Sequence, residues 1–224
     1  MNESLMIDYI SSIDEKHRKE YGQFFTESRI ARFLAGWVLK SNASILYDPA
    51  FGLGAMYHAA RSIGFEGRFC GAEIDPTILS HFRASNDDDR CAITPTNYLA
   101  EWGDRHQAII CNPPYFRFHH FVGRNHFLQR VRDVCGITLS GFTNIASAFL
   151  VKSVFELLPY GRLAYILPLE FLNTGYGVQI KKYLLESGSI KAIIQLDCEK
   201  DIFPEVTTSV GIILFEKKST LRSC

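Results

Sequence analysis

The chain lacks any apolar run long enough to cross a membrane; its longest hydrophobic stretches carry Lys152, Glu156 or Glu170. Its first residues, Met1-Asn2-Glu3-Ser4, have neither the basic start nor the apolar stretch of a secretory signal, so none is expected. The six cysteines (Cys70, Cys91, Cys111, Cys135, Cys198 and Cys224) form no C-x-x-C pair, and several sit in apolar runs. That usage points to reduced core thiols of a cytoplasmic protein rather than to a disulfide framework. Net charge is missing too, because 24 Lys and Arg balance 24 Asp and Glu. Without a broad basic field, the chain cannot hold nucleic acid by charge alone; it would need local patches or a further domain. No internal repeat or low-complexity linker is visible. What is present is 47% hydrophobic residues over 224 positions, enough for one sizeable core.

Strand-like and helix-like patterns alternate along the chain. Residues 4–19 read as a charged helix or arm, and Thr26 as the N-cap of a helix carrying Phe33, Leu34, Trp37 and Val38. Strands are expected at 44–47, 68–72, 91–94, 107–111, 162–167, 190–196 and 209–216, and helices at 55–63, 77–84, 145–158 and 176–186. Residues 116–143 show no clean period. They carry Arg117, Arg124, Arg130 and Arg132 among aromatics and histidines, and read as a long functional connection facing nucleic acid. Asp87-Asp88-Asp89 reads as a solvated turn. The alternation predicts an α/β fold: a doubly wound, mostly parallel seven-stranded sheet. Only a loop separates the last two strands, so they form an antiparallel pair, with one antiparallel strand in all.

One tetrapeptide carries the most chemistry. Asn112-Pro113-Pro114-Tyr115 follows the apolar run Ala108-Ile109-Ile110-Cys111. A Pro-Pro pair cannot continue a strand, so the chain must leave the sheet there in a rigid extended turn. The turn exposes the Asn112 side chain and prolyl carbonyls at the carboxyl end of a strand, where open α/β sheets bind ligands. An acceptor-rich turn followed by an aromatic suits a planar group bearing an NH2. Three other strand ends point the same way. Asp48-Pro49-Ala50-Phe51-Gly52-Leu53-Gly54 is a glycine turn opening a helix, which lets backbone pass close to a ligand. It lacks the third glycine of the dinucleotide fingerprint, which argues against NAD. Glu73 is placed to accept from both hydroxyls of a ribose. Asn97 can pair with a purine edge. Together these describe a pocket for an adenosine-containing cofactor.

The combination resembles the S-adenosylmethionine-dependent DNA adenine-N6 methyltransferases of the gamma class, the kind found in restriction–modification systems. The glycine turn resembles their cofactor loop, and Asn112-Pro113-Pro114-Tyr115 their catalytic motif. Lys19-Glu20-Tyr21-Gly22-Gln23-Phe24-Phe25-Thr26 is similar to the segment that covers the methionine end of the cofactor. Glu73-Ile74-Asp75-Pro76 is similar to their acidic ribose motif, and Phe203-Pro204 to a late motif whose aromatic holds the flipped base. The motifs occur in gamma-class order over nearly the whole chain. The resemblance implies a class I, Rossmann-like methyltransferase domain over 1–224, with 1–40 covering the cofactor and 41–218 forming the core.

The same resemblance implies roles. Thr26, with Gln23 and Phe25, would line the methionine end; Asp48, Pro49, Gly52 and Gly54 would lie under the cofactor. Glu73 would hold the ribose, Ile74 would pack on the adenine, and Asn97 stands where an aspartate is usual. Asn112 and Pro113 would accept the two N6 hydrogens of an adenine flipped out of double-stranded DNA, with Tyr115 and Phe203 on its faces. Pro114 completes the turn, and Arg117 begins the DNA-facing connection. No metal is implied: His119, His120, His126 and Cys135 match no standard zinc spacing. Cys111, inside an apolar strand, reads as core rather than as a cytosine-C5 nucleophile. Two alternatives stay open, a protein glutamine-amide methyltransferase and an inactive remnant. Gamma-class enzymes continue into a target-recognition domain that nothing here can be, so a fragment or a separate specificity subunit is expected.

Overall fold

The computed structural model describes residues 3–23, 25–115, 123–140, 143–196 and 209–219. Seven strands form one sheet: β1 (Ile45–Asp48), β2 (Arg68–Glu73), β3 (Cys91–Pro95), β4 (His106–Cys111), β5 (Leu157–Pro168), β6 (Gly188–Gln195) and β7 (Val210–Lys217). Their order is β3-β2-β1-β4-β5-β7-β6. The pairings β1–β2, β1–β4, β2–β3 and β4–β5 are parallel, whereas β7 runs antiparallel to both β5 and β6. The expected doubly wound sheet with one antiparallel strand is therefore the observed one. Strand order reverses between β1 and β4, and the crevice outside a reversal is where such sheets bind ligands.

Strand side chains alternate between two cores. Ile109, Cys111, Leu163, Tyr165, Ile213 and Phe215 pack against α6 (Arg124–Cys135), α7 (Ile145–Glu156) and α8 (Gly177–Ser187). Ala108, Ile110, Ala164, Ile166, Ile212 and Leu214 pack against α3 (Ser28–Val38), α4 (Ala55–Ser62) and α5 (Pro76–Ser85). Two further helices, α1 (Glu3–Ser12) and α2 (Glu15–Tyr21), occupy the N-terminal segment. A small third cluster of Tyr9, Leu53 and Ile78 seats α1 on the β1–α4 loop and α5. No described helix is long and apolar enough to cross a membrane.

Several local expectations fail for physical reasons. Thr26 is not an N-cap: the cap of α3 is Glu27, without a side-chain bond, and the Thr26 hydroxyl accepts from Asn112 instead. The patternless 116–143 segment contains α6, whose buried face is only Phe127 and Val131, too little for a sequence period to reveal. Strand β5 starts at Leu157 directly after α7; its pairing with β4 then shifts register between Leu157 and Arg162, and Pro159-Tyr160-Gly161, with Tyr160 at φ +60°, forms that irregularity inside the strand rather than ending the helix. Asp88 is not a solvated turn residue; its carboxylate accepts from Tyr57, Arg61 and Arg90 and staples α4 to the β3 entry.

A polar chain crosses the first core. Lys152 Nζ meets Glu156 Oε1 at 2.5 Å with both side chains 1% exposed. Tyr98 donates to Glu156 Oε2 at 2.7 Å, and Ser153 links the Tyr98 and Tyr165 hydroxyls at 2.8 and 2.5 Å. Because the carboxylate only accepts, the hydroxyls are ordered Tyr165 to Ser153 to Tyr98 to Glu156. Removing one partner of such a pair strands a buried charge, at a cost of about 3–5 kcal/mol. Urea unfolding of Glu156→Leu is expected to show that loss, and Lys152→Met with Glu156→Leu to recover most of it. Additive losses in the double variant would refute the pairing.

Candidate functional site

The site is built at the carboxyl ends of β1, β2 and β4. Asp48 ends β1 and turns its carboxylate back to accept the Ala50 N–H at 3.0 Å. Gly52 and Gly54 follow with φ of +58° and +76°. A Cβ on Gly54 would stand 2.9 Å from both Phe51 and Phe82, so the turn needs glycine for space as well as for angle. Phe51 fills the core below, 4.6 Å from the Phe82 ring centroid.

Glu73 ends β2. Its two carboxylate oxygens accept N–H groups from opposite sides, Gly52 at 2.7 Å and Asp75 at 2.8 Å. The carboxylate thereby fixes the β1–α4 loop and still has lone pairs for a ligand hydroxyl pair. Burial raises its pKa, and these N–H groups pull it back only in part. Next to it, Ile74 is 56% exposed, a large apolar side chain left uncovered at the rim.

Asp75 is fully buried and joins three segments. Oδ1 caps α5 through the Thr77 N–H at 2.9 Å. Oδ2 bonds the His17 ring at 2.8 Å and accepts from Gln23 at 2.6 Å, with the Tyr9 hydroxyl 3.3 Å away. Burial alone would raise its pKa, but the bonds from His17, Thr77 and Gln23 hold it below the ordinary carboxylate value. This one group pins the N-terminal segment beside the cavity, together with the Tyr9 packing on Leu53 and Ile78 and the Thr26–Asn112 bond.

Asn112 ends the β4 exit. Its Nδ2 donates to Thr26 Oγ1 at 3.0 Å, and its Oδ1 accepts the Tyr115 hydroxyl at 2.7 Å. Cys111, one residue earlier, is fully buried, and burial drives its thiol pKa well up, as for a core thiol. Asn97, after β3, accepts the Leu99 N–H at 3.1 Å through Oδ1. Its amide oxygen keeps a second lone pair, so it can still accept from a ligand amino group.

These parts enclose a cavity of about 600 Å³. Of the residues named from sequence, Thr26, Asp48, Pro49, Gly52, Glu73, Ile74, Asn97, Asn112 and Pro114 line it, as do Gln23 and Phe25. Gly54, Pro113 and Tyr115 adjoin the wall without lining it; Tyr115 instead packs between the two cores. Phe203 and Arg117 lie outside the described residues, as do His119 and His120. Among the described residues no cluster of His, Cys, Asp or Glu could hold a metal ion. Sequence reasoning missed Ile145 and Phe149 of α7 in the wall, and the clamp role of Asp75. Only the helical spacing of two apolar residues marked the first pair; nothing local marked the second. A pocket with a buried carboxylate at a strand end, an exposed aliphatic beside it and polar amides across from it fits a nucleoside with a polar tail. Asp75→Ala is expected to release the arm, giving faster limited proteolysis within 10–24 than in the unaltered protein. Unchanged cleavage would refute the clamp.

Comparison with known proteins gives a consistent picture. The Eco57I restriction-modification methylase family matches residues 73–203. Type II methyltransferase M.AccI of Acinetobacter calcoaceticus is 38% identical over 96% of this chain and 40% of its own length. M.HincII of Haemophilus influenzae, also a Type II methyltransferase, is 28% identical over 92% of this chain and 39% of its own. The chain therefore spans about two fifths of the length of these curated relatives. Among solved structures, the EcoKI M protein of a type I restriction enzyme superposes with a TM-score of 0.62 at 18% identity, covering 88% of this chain and 44% of that one.

Proposed function

The chain belongs to the Eco57I restriction-modification methylase family, and from that premise we propose that it is the catalytic domain of a DNA adenine-N6 methyltransferase using S-adenosylmethionine. The observation that carries this reading is the Asn112 amide, pinned by Thr26 and Tyr115 on the same cavity as Glu73 and Asp48. Two carboxylates, an exposed Ile74 and the Thr26 hydroxyl suit an adenosyl group carrying a cationic tail. The cofactor, when bound, supplies an electrophilic methyl group on a positively charged sulfur.

The protein's own contribution is alignment and electrostatics. An adenine amino group is a poor nucleophile because its lone pair is delocalised into the ring. Asn112 Oδ1 has two lone pairs, and an incoming N6–H can share it with the Tyr115 hydroxyl or displace that hydroxyl. Accepting both N6 hydrogens, at Asn112 Oδ1 and the Pro113 carbonyl, returns the lone pair to nitrogen and stabilises the positive charge that develops there. Thr26, by holding Nδ2, keeps the amide oxygen turned toward the base. The adenine must leave the duplex to reach this turn, and Tyr115 and Phe203 are assigned to stack on it. Arg117 and the connection after it would meet the phosphates. The segment 1–40 would cover the cofactor over the core at 41–218. With no net charge on the chain, the grip on double-stranded DNA and the choice of sequence are assigned to a target-recognition domain or specificity subunit beyond these residues.

Incubation with S-adenosylmethionine and mixed-sequence DNA at low salt, followed by mass spectrometry of the nucleosides, is expected to yield N6-methyladenine. A methylated cytosine, or methylation of a glutamine-bearing protein instead of DNA, would overturn the reading. Asn112→Ala is expected to lower the transfer rate by roughly 100-fold or more, the scale of a lost transition-state hydrogen bond, while cofactor affinity stays within a few-fold. Full activity in that variant would place the base elsewhere.

A further inference from the structure

The charge on the cavity wall is one-sided. Among the described lining residues, Asp48 and Glu73 are the only carboxylates, and no Lys, Arg or His stands beside them. Their residues are 1% and 9% exposed, so water screens neither well. They are also held unequally. Glu73 accepts two backbone N–H groups, at 2.7 and 2.8 Å. Asp48 accepts one, from Ala50 at 3.0 Å, and has the Cys111 thiol as its other donor.

The groups facing Asp48 from each neighbouring strand are Glu73 on β2, Cys111 on β4 and, behind that thiol, Tyr165 on β5. None of the three is a cation: Glu73 is a second carboxylate, and the other two can only become negative. No described neighbour offers the positive charge that a buried carboxylate needs. The methyl donor of the proposed reaction is positively charged at sulfur, and its demethylated product is neutral there.

Resting on the methyltransferase reading above, we propose that Asp48 holds a proton before the cofactor binds and releases it when the sulfonium enters, so that the pocket selects the charged donor over its neutral product. The Asp48 O–H bond breaks, the proton passes to water, and the carboxylate left behind faces the sulfonium charge. After methyl transfer the sulfur is neutral and Asp48 takes a proton back from solvent, which removes the contribution of the sulfur charge to holding the product. No oxidation or reduction is involved.

The direction of the pH effect follows. Burial first, then the nearby Glu73 charge, pushes the Asp48 pKa up to about 8. At lower pH the protonated form dominates, and the donor must expel the proton to gain the charge pair. Its affinity relative to the product therefore falls as pH falls, by up to about tenfold per pH unit. Above the Asp48 pKa the preference levels off.

Isothermal titration calorimetry near pH 7, in two buffers of different ionisation enthalpy, counts the protons released. S-adenosylmethionine and S-adenosylhomocysteine share their amino-acid and nucleoside parts, so the difference between them isolates the charge at sulfur. The full chain is expected to release up to about one more proton with the donor than with the product. Asp48→Asn should erase that difference and flatten the pH dependence of the affinity ratio. Equal proton counts for the two ligands in the unaltered protein would overturn the proposal, and that comparison stands even if the variant fails to fold. A difference that survives in Asp48→Asn would also overturn it, moving the proton to another group. Failure of both ligands to bind would instead sink the methyltransferase reading itself.

Discussion

At the end of β2 the Glu73 carboxylate accepts N–H groups from two loops at once, and the shape of the cavity follows from that clamp. One oxygen holds Gly52 and with it the β1–α4 turn; the other holds Asp75 at the entry to α5. Asp75 then passes the constraint outward, because its second oxygen collects His17 and Gln23 from the N-terminal segment. Two acids on either side of Ile74 thus tie together a loop, a helix start and a covering arm that are far apart in sequence. Each accepting contact also lowers the energy of a buried carboxylate, so the ligand-binding edge and the stability of that edge share the same bonds.

The opposite wall is organised differently. The Asn112 amide is fixed by one hydroxyl on each side, Thr26 from the arm and Tyr115 from its own turn. A side-chain amide left free rotates between rotamers; one held at both ends presents its oxygen in a defined direction. Because Thr26 belongs to the same segment that Asp75 pins, the arm connects the carboxylate side of the cavity to the amide side. Loosening the arm would disturb both walls together.

Beneath the cavity, the Lys152–Glu156 pair and the three ordered hydroxyls form a polar seam through an otherwise apolar core. Such a seam adds little net stability compared with well-packed hydrophobes, but it tolerates few alternative packings. Tyr98 belongs to that seam and also lines the cavity, so the seam fixes part of the wall from behind.

The sequence by itself determined the α/β class, the order of strands and helices, and the residues at strand ends where a ligand would sit. The signals are local: apolar runs of strand length, a glycine turn that only glycine can make, and a proline pair that forces the chain out of the sheet. It did not reveal α6, whose burial is confined to Phe127 and Val131, nor that β5 begins at Leu157, ahead of the irregularity at Pro159-Tyr160-Gly161. It also misassigned Thr26 and Asp88, since a hydroxyl or carboxylate near a turn looks the same whether it caps its own backbone or bonds a residue far along the chain. Which partner wins depends on what folding brings within about 3 Å. For Thr26 that partner is Asn112, 86 positions away. For Asp75 the decisive neighbours are His17 and Gln23. Only the tertiary structure could decide these pairings, because they rest on the packing of α1, α2 and the β1–α4 loop rather than on any local preference.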